Sequence, residues 1–202
     1  MNNLFIVGTG GFAKEVWTYC QDCNYSVAGF IDINKKNTFQ NLPVYGSDYI
    51  KDKICNIIIA IGNPHLRRKI YIELGSHHFY PNLIHPTSYV GKNVSLGRGV
   101  VVCRGATLTT DIKIGDFCQL HVSSTVGHDS HIGNYVTLCP HAVISGNVSI
   151  GDHVFLGANS TVIEKKKIVE NVVVGANCCV IHDIEMNGTY VGVPAVKLKD
   201  IG

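Results

Sequence analysis

The sequence predicts two architectures in one chain: a small α/β unit over residues 1–82 and an all-β parallel β-helix over residues 83–185, with a tail over 186–202. Three observations carry this. From residue 90 an aliphatic side chain recurs every six positions without insertion. The position three after each aliphatic is rich in Gly, Asn and Asp. Before residue 83 the pattern is different, with short apolar runs alternating with helix-like segments.

The α/β unit reads in order. "LFIVG" at 4–8 is a buried strand, and "GGFAKEVWTYCQDC" at 10–23 is a helix after a glycine turn. "VAGFID" at 27–32 is a second strand. "NLPVYG" at 41–46 leads to "SDYIKDK", a short helix. "CNIIIAIG" at 55–62 is continuously apolar, as in a parallel strand covered on both faces. "NPHLRRKIYIELG" at 63–75 opens with Asn-Pro, a good helix start. Strands alternating with helices give a parallel sheet.

The repeat column is Val90, Leu96, Val102, Leu108, Ile114, Leu120, Val126, Ile132, Leu138, Ile144, Ile150, Leu156, Val162, Ile168, Val174 and Val180. Such a repeat predicts short strands stacked around a packed interior. The turn column holds Gly, Asn or Asp at 93, 99, 105, 111, 129, 147, 159, 171, 177 and 183, types that tolerate left-handed backbone. A second inward column (Val94, Val100, Ala106, Ile112 and onward) is broken at Lys166. Three faces per turn of the prism give about five coils.

Bulk properties exclude several classes. The 202 residues suffice for a real core, net charge is +2, and 16% of residues are charged. The one basic run, Lys165-Lys166-Lys167, is no nucleic-acid stripe. "MNNLFIVGTGG" lacks the cationic lead of a signal peptide, and no apolar stretch has the length of a membrane span. Eight scattered cysteines, with one isolated CxxC at Cys20 and Cys23, are expected as free thiols in a reducing cytoplasm.

Two places carry chemistry. Gly8-Thr9-Gly10-Gly11 follows a strand and opens a helix, where backbone can approach a phosphate. Asp32 ends the second strand, where an acid can bind a ribose hydroxyl. The unit is half a dinucleotide fold and lacks full GxGxxG spacing, so a mononucleotide-linked ligand fits better; a tight turn with no ligand reads the same residues. The second place is "TVGHDSHIG" at 125–133. Asp129 fills the turn column, which accounts for it without a function. His128 has no such structural reason, although lone surface histidines are common; His182 shares its column. His131, between inward Ser130 and Ile132, points outward by alternation. Along extended chain the two histidines are up to about 10 Å apart, which is awkward for one metal.

Together, "IVGTGGFAKE…GFID…IIIAIGN", the hexapeptides, "GHDSHIG", "SGNVSIG", "LGANSTV" and "YVGVPAVKLK" resemble bacterial sugar acetyltransferases of the NeuD/PglD-like type over nearly the whole chain. The resemblance implies a Rossmann-like nucleotide-sugar domain on a left-handed parallel β-helix, against the usual right-handed crossover. It implies a homotrimer with acetyl-CoA in the groove between neighbouring β-helices and no metal. His128 and Asp129 match the catalytic pair. Gly146, Ala158 and Ala176 match the acetyl-CoA groove, and Thr137 sits where relatives often carry a second histidine near the donor. Gly10, Gly11, Phe12, Asp32 and Gly62 match the nucleotide-sugar positions. Phe12 replaces a frequent histidine, and Ile33 replaces a second acid.

The implied reaction is N-acetylation of a nucleotide-linked 4-amino sugar, His128 taking the amine proton, Asp129 orienting it, and a backbone N–H such as that of Gly146 holding the oxyanion. Lys197, Lys199 and the 165–167 run are candidates for CoA phosphates, and Cys139 is a remote candidate for an acyl-enzyme. The alternatives are O-acetylation of sialic acid or another sugar, a zinc enzyme on the same β-helix, and a non-catalytic nucleotide-sugar binder. Gly133 stands five past His128, where the zinc class carries its second histidine.

Overall fold

The structure, a computed structural model, describes residues 3–32 and 37–198. Ile33 and Lys199 lie outside them. The α/β unit consists of β1 (Leu4–Val7), α1 (Gly11–Asp22), β2 (Val27–Ile31), β3 (Thr38–Phe39), β4 (Leu42–Tyr45), a 3-10 turn (Ser47–Tyr49), β5 (Asn56–Ile59) and α2 (Pro64–Leu74). The sheet order is β3-β4-β2-β1-β5, parallel except for the β3–β4 pair. The expected strands and both long helices are present. The hairpin β3–β4 is an addition, because "NLPVYG" had read only as a lead into a helix. Pro43 is tolerated there since the parallel pairing with β2 begins at Val44. Asn63 caps α2, its side chain accepting from the Leu66 N–H at 3.0 Å, with Pro64 behind it.

From Leu83 the chain winds as a parallel β-helix with three faces. The first face stacks strands at 83–84, 101–102, 119–120, 137–138, 155–156 and 172–174; the second stacks 89–90 through 179–180; the third stacks 95–96 through 167–168. Partners are 18 residues apart, as in Thr107↔Thr125 and His131↔Ser149. The interior is one apolar cluster running from Val100 to Ile184. The aliphatic column from Val102 to Val180 is buried throughout, and Val90 and Leu96 are half-buried at the open end.

Every sixth residue from Asn93 to Asn177 has positive φ. Several occupants are bulky, among them Phe117 (φ 55), Tyr135 (φ 56) and His153 (φ 58). Left-handed backbone is costly for such residues. These three stack one coil apart on the corner between third and first faces, Phe117 on Tyr135 and Tyr135 on His153, each pair at 5.3 Å. His65 of α2 continues the column at 5.0 Å from His153. The strained corner is therefore a docking ridge for α2.

The α/β unit covers the first face. There the outward residues Val101, Gln119 and Thr137 are as buried as their inward neighbours, and Leu83 is fully buried although Ile84 beside it is exposed. The outward residues of the third face (Ser95, Lys113, His131, Ser149, Lys167) remain exposed.

Candidate active site

His128 sits on the corner between second and third faces, one residue before the left-handed turn residue Asp129 (φ 60). Its Nδ1 lies 2.7 Å from Asp129 Oδ2, and both side chains are about 60% exposed (63% and 62%). With the proton on Nδ1 directed at the carboxylate, Nε2 carries the free lone pair. One coil on, Gly146 makes room for the ring: a Cβ there would stand 2.6 Å from His128 Nε2. The ladder bonds at this corner run from Ser145 N to Val162 O and from Asn147 N to His128 O, skipping the Gly146 N–H between them.

One coil earlier, Asp111 occupies the same corner. Hydrogen bonds from Asn93 and Thr110 hold its carboxyl below the usual carboxylate range, with the nearby His128 adding to the effect. Sequence reasoning missed it, although its 18-residue spacing from Asp129 is a usable signal. His131 is exposed on the third face, as its alternation required. With Asp129, Asn147 and Lys165, Lys166 and Lys167 it lines a shallow hollow of about 200 Å³. His182 is exposed in the same corner column as His128. Among the described residues no group of three or more His, Cys, Asp or Glu is arranged to hold a metal ion.

The other expected donor residues separate. Ala158 and Ala176 lie on the corner between first and second faces, joined through the bond from Asn177 N to Ala158 O at 2.8 Å. The two corners flank the second face, so His128 and the alanines border one surface without touching. Thr137 is fully buried under the α/β unit, its hydroxyl donating to Gly62 O at 2.8 Å and accepting from Arg67 Nη2 at 3.0 Å. It serves the junction of the two units. Cys139 is half-buried, and burial pushes its thiol up to about 11, a poor nucleophile at neutral pH.

The acceptor candidates gather at the carboxyl edge of the sheet, where α/β ligands bind. Gly10 caps α1 with no side-chain partner. Side chains built on Gly10, Gly11 or Gly62 would meet nothing within 4 Å, so these three backbones line open space. Thr9 Oγ1 donates to Asp32 Oδ2 at 2.7 Å, tying the glycine turn to the end of β2. Phe12 stacks on His121 of the β-helix at 4.3 Å. Burial, reinforced by the positive charge of Arg67, lowers the His121 imidazole to about 4, and its Nε2 is buried without a partner.

Arg67 was not anticipated. It is 1% exposed and donates only to oxygens of uncharged groups. Nε reaches Phe117 O at 2.8 Å, Nη1 reaches Ile61 O at 2.6 Å and Gly62 O at 3.2 Å, and Nη2 reaches Tyr135 O at 2.8 Å and Val136 O at 3.3 Å. Burial lowers its pKa to about 10, so it stays charged at neutral pH.

Comparison with known proteins bears on this arrangement. Residues 3–74 match the family model described as the PglD N-terminal domain, and residues 80–178 match the GMPPB C-terminal domain. A histidine-to-asparagine variant of perosamine N-acetyltransferase from Caulobacter crescentus, solved with CoA and GDP-perosamine, is 30% identical. It superposes with a TM-score of 0.93 over 99% of this chain and 98% of that one. The acetyltransferase domain of PglB from Neisseria gonorrhoeae FA1090, in complex with acetyl coenzyme A, is 26% identical with a TM-score of 0.89 over 98% and 99% of the two chains. A curated relative, the uncharacterized protein L142 of Acanthamoeba polyphaga mimivirus, is 28% identical over 117 residues, 56% of this chain, which spans about a quarter (24%) of its length. The β-helix winds in the left-handed sense that the resemblance implied. The chain belongs to the PglD-like family of hexapeptide-repeat sugar acetyltransferases.

Proposed function

We propose that this protein transfers the acetyl group of acetyl-CoA to the amino group of a nucleotide-linked 4-amino sugar, with His128 as general base. The observation that carries it is the His128 Nδ1–Asp129 Oδ2 contact of 2.7 Å, with the imidazole seated against the side-chain-free Gly146 one coil on. Perosamine is an amino sugar, and the Caulobacter relative holds it as a GDP conjugate together with CoA.

The step follows from the residues. The sugar amine must be neutral to attack. His128 Nε2 takes its proton as the nitrogen–carbon bond forms, and Asp129 stabilises the imidazolium. The Gly146 N–H, unused by the ladder, would donate to the oxyanion. The carbon–sulfur bond then breaks, and the CoA thiolate leaves with the proton returned by His128. No acyl-enzyme is required.

The donor would lie along the second face, between the His128 corner and the Ala158–Ala176 corner, closed by a neighbouring copy in a homotrimer. The hollow beside Lys165, Lys166 and Lys167 suits a phosphate of that donor. The acceptor would be held by Gly10, Gly11, Phe12, Asp32 and Gly62. The cytoplasm, where acetyl-CoA and free thiols coexist, is the fitting compartment. No helix among the described residues is long and apolar enough to cross a membrane.

The test is acetyl transfer followed by mass spectrometry, offering acetyl-CoA with UDP-, GDP- and dTDP-linked 4-amino sugars and with sialic acid. A singly acetylated amino sugar from the wild type, lost with His128→Ala, is the expected result. Product from sialic acid alone would move the reading to O-acetylation. Product unaffected by the substitution would transfer the base role to His131.

A further inference from the structure

We infer that Arg67 is a positioning residue for the acceptor: it pins the inner side of the Ile61–Gly62 loop to the β-helix and so fixes where the acceptor meets the donor. The inference rests on the acceptor site proposed above.

The geometry is specific. One guanidinium joins two carbonyls of the loop, Ile61 and Gly62, to three of the β-helix, Phe117, Tyr135 and Val136. The Thr137 hydroxyl closes the loop from below, bonded to both Gly62 O and Arg67. Gln119 holds the preceding strand end, its Nε2 donating to Ile59 O at 2.8 Å. The outer side of Gly62 is open. A loop pinned within and open without is what precise presentation of a bound ligand needs.

A fully buried arginine is costly, and among the described residues no carboxylate pairs with it. Simple cohesion between the units could be supplied by apolar packing at no such cost, as Leu83 and Val101 already do on the same face. What apolar packing cannot do is hold five carbonyls from two units at fixed spacing, which is the property of a planar fork of five donors. Phe117 and Tyr135, whose carbonyls it takes, are the two aromatic residues held at left-handed φ beside α2. The strained corner and the buried charge thus serve one junction.

Arg67→Lys and Thr137→Val would be compared with wild type in two assays. Hydrogen–deuterium exchange reads the loop directly and needs no activity. Amides at 60–63 are expected to exchange at least ten-fold faster in Arg67→Lys, with those of the β-helix interior unchanged. Steady-state kinetics read positioning: acceptor KM is expected to rise about ten-fold while the KM for acetyl-CoA stays within two-fold, with a smaller shift of the same kind in Thr137→Val. Unchanged loop exchange would overturn the inference. So would faster exchange with a kcat that merely tracks the folded fraction and an unmoved acceptor KM. If the wild type makes no product, the proposed function has failed on its own. Calorimetric titration with UDP, GDP and dTDP then decides, an affinity unaltered by Arg67→Lys, or no binding by wild type, counting against the positioning role. Should Arg67→Lys fail to fold, Thr137→Val is judged by the same outcomes, since it removes only a hydroxyl.

Discussion

The imidazole of His128 occupies the space that a side chain on Gly146 would need: an added Cβ would stand 2.6 Å from Nε2 and 2.7 Å from Cε1. The residues are one coil apart and touch because the β-helix stacks its corners. The backbone at Gly146 is not left-handed, so alanine is conformationally acceptable there. The collision is with the ring alone. Gly146→Ala is therefore expected to lower kcat about 100-fold by displacing the base, with Tm changed by no more than a few degrees. Full activity in that variant would mean that the ring position seen here is not the working one.

Asp129 combines two roles that substitution can separate. It has left-handed backbone at the turn, and it accepts from His128. Asparagine also tolerates that backbone but cannot stabilise imidazolium with a negative charge. Asp129→Asn is expected to keep the wild-type Tm and lose about 10- to 100-fold in kcat. Asp129→Ala should lose similar activity and also some stability. If Asp129→Asn were fully active, the aspartate would be a turn residue only. Thermal melts beside initial rates decide between these.

The β-helix was legible because its period is enforced by the interior. An aliphatic residue is required wherever a strand turns inward, from Val102 to Val180, and nothing else in the fold interferes. His128 drew notice because nothing in the repeat requires a histidine there, whereas Asp129, which fills the turn column, reads equally as a turn residue; the contact between them is what the structure adds. Thr137 was not, because outward residues of a repeat look alike until one face is covered. The outward column Leu83, Val101, Gln119, Thr137 carries that information only when read at 18-residue spacing. Arg67 was hidden in "NPHLRRKIYIELG", where it reads as an ordinary helix-surface charge. Its partners are backbone carbonyls, which leave no trace in a sequence.

The interior also sets the energetic scale. Leu138 is 1% exposed and lies inside the central coils, between Leu120 and Leu156 in the ladder. Leu138→Ala should cost about 2–5 kcal/mol, since neighbours stacked above and below restrict collapse into the cavity. Lys113→Ala, on the exposed side of the third face, should stay within about 0.5 kcal/mol. Chemical denaturation of the pair measures the difference. Comparable costs would contradict the inward assignment of the repeat column.

Acid should destabilise the junction through His121. Burial, then the charge of Arg67, holds its imidazole at about 4, against an ordinary value near 6.5. Between those values the unfolded chain takes up a proton that the folded protein refuses. Stability contributed by the neutral ring is thus fully present above pH 6.5 and declines as pH falls towards 4. By pH 5 the loss from this group is about 1–2 kcal/mol. His153 and His78, also lowered chiefly by burial, act in the same direction. His121→Gln keeps a polar side chain that does not titrate. Its Tm should fall less than that of wild type between pH 7 and pH 5, while carboxylate effects, common to both proteins, cancel in the comparison. Parallel Tm profiles across that range would mean that His121 accepts its proton without leaving its place against Phe12.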